Sequence, residues 1–407
     1  MKKSVLRSYA RLIARMGINV QKGQDVVIQA ELDQLEFVQM VVEECYKAKA
    51  RKVTVEWTYQ PLTKAQVRGQ SLKTLSTVDD WTLAKLQHYV DTKPCRIYLE
   101  SADPDGLKGV NVAKMSKAQQ ALLTIQKPYI NKLQNNFQWC IAAVPSAAWA
   151  KKVFPGLPKG KAVEKLWEAI LTTSRVTEDP VKAWEEHNAD LDEHCRKLNE
   201  MKLKSLHFTA DNGTDLTVGL IPEAVFCGGA ETNRQGMVFN PNIPSEECFT
   251  SPMKGQAEGI VYATKPLSYQ GQVIDNFSVR FEGGRAVEVH AEKGQEALER
   301  MIAMDEGAAM LGECALVPQK SPIAESGILF YNTLFDENAA CHLALGRGFN
   351  DTITGYQDKT NEECQALGIN DSVIHTDFMI GCDSMNIDGV TESGETVPIF
   401  RKGNWAF

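Results

Sequence analysis

The sequence predicts an α/β N-terminal domain with a parallel sheet, residues 1–205, followed by a β-rich α+β domain, residues 206–407. Three observations predict this. Strand-like and helix-like segments alternate in the first part of the chain. Hairpin-type turns take over after about residue 205. The charge divides at the same place. Residues 1–205 carry 32 Lys+Arg and 23 Asp+Glu, net +9, and residues 206–407 carry 12 and 29, net −17, which sum to −8. A chain of 407 residues is also too long for one ordinary hydrophobic core.

The elements follow in order. Val5, Leu6, Tyr9, Leu12, Ile13 and Met16 fall on one face of an amphipathic helix. Arg11 and Arg15 break any apolar run there, so the start reads as a mature N-terminus and not as a signal peptide. Gln24–Ala30 is a β-branched strand after the Gly23 turn, and Leu35–Ala50 has helical spacing. Lys52–Trp57, Arg96–Glu100 and Trp139–Val144 are further strands, with a helix over Ser116–Leu133 between the last two. Repeated β-α-β implies a parallel sheet covered by helices. Val163–Leu171 and Val181–Lys204 are charged helices with solvated faces.

Asp211-Asn212-Gly213-Thr214 and Gly283-Gly284 each join two strand-like runs as hairpin turns. Gln295–Met304 is helical, and Asn386–Val390 opens a last hairpin. No glycine-rich phosphate loop is present, so a nucleotide site has no support. No apolar run reaches the length of a membrane span. Ten cysteines without a C-x-x-C pair are the reduced thiols expected of a cytoplasmic protein. Cys248, Cys314 and Cys341 stand near polar segments and read as small buried residues, with metal ligation or oxidation sensitivity as the alternative.

Chemistry concentrates in the acidic half. Ile243–Thr250 carries Glu246 and Glu247, Gly312–Cys314 carries Glu313, Cys341–Gly346 carries His342, and Ile374–Phe378 carries His375 and Asp377. Carboxylates and imidazoles together suit Zn, Co, Mn or Fe, whereas thiolates alone suit structural zinc. In a strand over Ser372–Ile380, His375 and Asp377 share one face. Either a metal or a hydrogen-bonded His–Asp pair satisfies them. His342 follows Phe335–Ala340, which reads as a short helix ending near Gly346. Glu313 adjoins the apolar Ala315-Leu316-Val317, where an unpaired charge is costly. Adjacent glutamates in an extended loop point opposite ways, so one of Glu246 and Glu247 enters a cleft.

The four segments together resemble the thermophilic-type metallo-aminopeptidase family, of the aminopeptidase T, aminopeptidase S and PepS type. The motifs are N-x-P-[ST]-x-E-x-[FY]-T at Asn242–Thr250, G-E-x-A-L-V-P at Gly312–Pro318, H-[LI]-A-[LF]-G at His342–Gly346 and H-x-D-F-M-I-G at His375–Gly381. The resemblance covers most of the chain and is strongest between residues 240 and 390. It implies a two-metal site (Zn, Co or Mn) on Glu247, Glu313, His342, His375 and Asp377, and hydrolysis of N-terminal peptide bonds. It selects Glu247 over Glu246, which remains a weak candidate for general base or amino-group contact. It also implies a homodimer acting on peptides with a free N-terminus; the cysteines point to the cytoplasm, the acidic half argues against a nucleic-acid partner, and the lack of a long apolar run argues against a membrane partner. One position departs from the pattern: Phe349 stands where the family's peptidases carry an active-site tyrosine. A phenol can donate to an oxyanion and phenylalanine cannot. The alternatives are therefore a weakly active or purely peptide-binding relative, or another metallohydrolase. Tyr356, seven residues further on, is the candidate substitute donor.

Overall fold

The structure is a computed structural model describing residues 1–269 and 272–407. The chain forms two compact units and crosses between them more than once. Met1–Glu186 and Ala230–Pro244 form the first; His187–Gly229 and Ser245–Phe407 form the second.

The first unit contains the expected parallel sheet, in the order Lys52–Thr58, Asp25–Glu31, Cys95–Glu100, Trp139–Ala143, Asn242–Ile243. The last strand is two residues long and comes from far along the chain, which a local pattern does not reveal. The helices over Leu35–Lys47 and Val112–Leu133 lie close to their expected positions. The N-terminal helix, Lys3–Leu12, ends in a wider turn over Ile13–Gly17. Its predicted apolar face is buried at Tyr9, Leu12 and Ile13.

The second unit is antiparallel. Leu203–Thr209 and Asp215–Leu220 form the first predicted hairpin. Gln272–Glu282 and Arg285–Lys293 form the second, and Asn386–Thr391 with Thr396–Arg401 the last. These strands belong to a nine-stranded sheet. A separate four-stranded sheet runs Cys248–Thr250, Leu311–Leu316, His342–Gly346, His375–Met379. The main core packs residues of the large sheet, such as Phe208, Val218, Phe281 and Ile387, with Cys314, Leu343, Leu345 and Phe378 of the small one. Fully burying side chains such as Leu343 and Phe378 contributes roughly 2 kcal/mol each.

One expectation is corrected here. His342–Gly346 is a strand, preceded by short helical turns over Thr333–Asp336 and Glu337–Ala339. All five of its residues are buried, so the run shows no alternation that separates strand from helix. Among the described residues, no helix is long and apolar enough to cross a membrane.

Candidate metal centre

The small sheet sorts its side chains by row. Glu313 pairs with Ala344, and Ala344 with Asp377. In the next row Ala315 pairs with His342, and His342 with Met379. Gly346 pairs with His375. Paired residues share a face, so Glu313, His342, His375 and Asp377 project to one side, with only Ala344 and Gly346 between them. The opposite face carries Cys314, Leu343, Leu345 and Phe378 into the core.

Glu313 reaches this face through a β-bulge. Leu311 pairs with Leu345, and a regular ladder would then set Glu313 opposite Leu343, facing the core. One extra residue on its strand sets it opposite Ala344 instead. Gly312 occupies the bulge, where a Cβ would meet the Arg347 carbonyl oxygen at 2.3 Å. Gly346 is equally constrained: its φ is 108°, and a Cβ would meet the Ile374 oxygen at 2.1 Å.

Glu247 joins from the loop before Cys248–Thr250. Its Oε2 lies 3.2 Å from His342 Nε2, and both residues are buried. His375 Nε2 lies 3.1 Å from Glu313 Oε2 and 3.2 Å from Asp377 Oδ1. Two groups thus have metal-ligating geometry, Glu247–Glu313–His342 and Glu313–His375–Asp377, with Glu313 in both. All five residues that the resemblance implies are brought together.

The imidazoles are oriented alike. His342 Nδ1 contacts the Ala340 carbonyl at 3.1 Å, and His375 Nδ1 contacts the Arg347 carbonyl at 2.7 Å. A carbonyl only accepts, so Nδ1 carries a proton in each ring and Nε2 is the nitrogen turned toward the carboxylates. Lone pairs facing each other at about 3 Å repel unless a cation or proton lies between them. Asp377 Oδ1 is buried and makes no hydrogen bond among the described residues. The donor set therefore fits a divalent cation.

Protonation follows the same geometry. Burial would lower His342, but Glu247, Glu313 and Asp377 push it up to about 10. Burial also opposes charge on His375, yet Asp377 and Glu313 raise it well above its ordinary value. Burial raises Glu313 to about 7, helped by Asp377 and Glu247 and opposed by His375. Burial alone would raise Asp377, but His375 and His342 hold it below the usual carboxylate range.

Glu337 belongs to none of the four motifs but is tied to the site electrostatically. Burial and the nearby charges of Asp377, Glu247 and Glu313 raise its carboxyl well above the usual range, so it shares the site's electrostatic field. Its only signal is an acidic residue just before a buried strand. Glu246 turns toward another partner, with Oε2 3.9 Å from His187 Nε2. The Phe349 ring stacks at 4.7 Å from His375 and meets Phe249 edge-on at 5.8 Å. Tyr356 is buried in a separate small core with Ile221, Ile353, Cys364 and Ile369. Cys248, Cys314 and Cys341 lie in the main core, and burial pushes the Cys341 thiol up to about 12.

Known proteins match this chain along nearly its whole length. The chain is 42% identical over 404 residues to aminopeptidase AmpS of Bacillus subtilis (strain 168), covering 99% of this chain and 98% of that one. It is 41% identical over 406 residues to aminopeptidase PepS of Streptococcus thermophilus, with the same coverage. The solved structure of wild-type AmpT from Thermus thermophilus superposes with a TM-score of 0.90 at 38% identity, covering 100% of both chains. Residues 2–405 match the family described as thermophilic metalloprotease (M29), and the chain belongs to that family.

Proposed function

We propose that this chain is a metal-dependent aminopeptidase that hydrolyses the N-terminal peptide bond of peptides through a two-metal site. The observation that carries the reading is the sharing of Glu313 between two ligating groups. Glu247, Glu313 and His342 would hold one divalent ion, and Glu313, His375 and Asp377 the other, with Zn, Co or Mn as the candidates. Such ions supply an activated water nucleophile and polarise the scissile carbonyl. Glu313 bridges the groups, the two histidines present Nε2, and Ala340 and Arg347 fix their tautomers through Nδ1. Glu337 adds a carboxyl in the same electrostatic field, which burial and the charges of Asp377, Glu247 and Glu313 shift toward its protonated form. The net charge of −17 over residues 206–407 favours an ammonium-bearing substrate and disfavours nucleic acid. That part of the chain is the proposed catalytic domain.

The test is turnover of amino-acid p-nitroanilides by chelator-treated protein given Co²⁺ or Zn²⁺. His375→Ala should lose most bound metal by elemental analysis together with activity. Unchanged metal content would refute the ligand assignment. Phe349 favours a second reading, a weakly active or peptide-binding relative, and full turnover by the unaltered chain would dismiss it. Cytoplasmic location is supported by ten free cysteines, eight of them buried. The homodimer rests on the family resemblance, and light scattering in solution tests it.

A further inference from the structure

The loop that carries Glu247 has no ladder partner from Pro244 to Glu247, yet one of its peptide units is held at both ends by buried side chains. His187, on the Pro180–Glu200 helix, places Nε2 2.7 Å from the Ser245 carbonyl oxygen. Asn338 accepts a 2.7 Å hydrogen bond from the Glu246 N–H through Oδ1. The carbonyl of Ser245 and the N–H of Glu246 belong to the same planar amide, so gripping both ends fixes its orientation. Asn338 is itself immobilised. It is 0% exposed, its Nδ2 donates to the Leu334 oxygen at 2.9 Å, and its own carbonyl accepts from Ser321 Oγ at 3.3 Å. His187 is also buried.

We infer that His187 and Asn338 are positioning residues that clamp the Ser245–Glu246 peptide and thereby aim the Glu247 carboxylate at the metal position it shares with His342. A loop carboxylate otherwise loses conformational entropy on binding an ion, and a preset backbone reduces that loss. Neighbours that orient a ligand without touching the metal typically change affinity 10–100-fold when removed. The inference rests on the assignment of Glu247 as a ligand. It adds a role for the polar residues around it and a selectivity: only the ion held by Glu247 and His342 depends on the clamp.

The experiment titrates Co²⁺ alone into the chelator-treated full chain and follows its visible absorption. His187→Phe, which keeps a buried ring but removes the donor, should weaken the binding step that Glu247→Ala abolishes by 10–100-fold. The step that Asp377→Ala abolishes should stay within about threefold. His187→Gln, which returns an N–H near the position of Nε2, should recover most of the affinity. A uniform loss in both steps, or no loss in either, overturns the clamp. If Glu247→Ala leaves both steps intact, the ligand assignment itself fails, which is a separate result. Should His187→Phe not fold, Asn338→Ala removes the other grip and is read by the same criteria.

Discussion

Loading the metal-free protein with divalent cation at pH 7 should release about two protons, a count that follows from the site's electrostatics. His342 titrates near 10 and His375 well above its ordinary value, so both rings hold a second proton at neutral pH. With Nδ1 committed to the Ala340 and Arg347 carbonyls, that proton sits on Nε2, the only ring atom that can face an ion. Each ion must displace it. Glu313, titrating near 7, adds a fraction of a further proton. The apparent affinity for each ion should therefore climb by about one decade per pH unit around neutrality. Calorimetric titration in two buffers of different ionisation heat gives the count directly. Release of no protons would refute the placement of both Nε2 atoms against the ions. The linkage also fixes the sign for stability. The folded value of His342 lies above its ordinary 6.5, so its contribution to the metal-free fold is complete below 6.5 and is lost as pH rises through about 10. Glu313, raised from 4.5, contributes a loss between 4.5 and about 7. The metal-free protein should melt lower at pH 9 than at pH 6.5, and added metal should recover more at the higher pH.

Two further outcomes test the surroundings of the centre. Phe349→Tyr should raise kcat on amino-acid p-nitroanilides by roughly 10²-fold with unchanged metal content, the scale of one oxyanion donor, and no change would mean that another group donates. Gly346→Ala should destabilise the fold by about 3 kcal/mol in urea unfolding, because its φ of 108° is strained for alanine and its Cβ would strike the Ile374 oxygen; a loss below about 1 kcal/mol would show that the strand shifts freely.

Much of the architecture was legible in the sequence because it is locally encoded. The Asp211–Thr214 and Gly283-Gly284 turns specify hairpins, and β-branched runs alternating with helices specify the parallel sheet. The two-residue strand at Asn242–Ile243 was not legible, since its pairing with Trp139–Ala143 spans about a hundred positions. His342–Gly346 reads as the end of a helix because burial on both faces erases the period that marks a strand. At the site, Glu247, Glu313, His342, His375 and Asp377 could be named through their motifs. Glu337 and His187 could not, because each acts through tertiary placement: one enters a shared field, the other reaches across to a peptide carbonyl. Phe349 was visible as a departure, and the structure sets its ring against His375.

The extra residue at Gly312 makes the shared carboxylate a matter of chain length as much as of composition. A relative could keep every acidic and imidazole side chain of the set, lack that single insertion, and turn its glutamate into the oily interior beside Leu343. Ordinary residue-by-residue scoring would still pass such a chain as intact. Spacing between Leu311 and Cys314 is thus a property to inspect when judging which members of a family can assemble this centre.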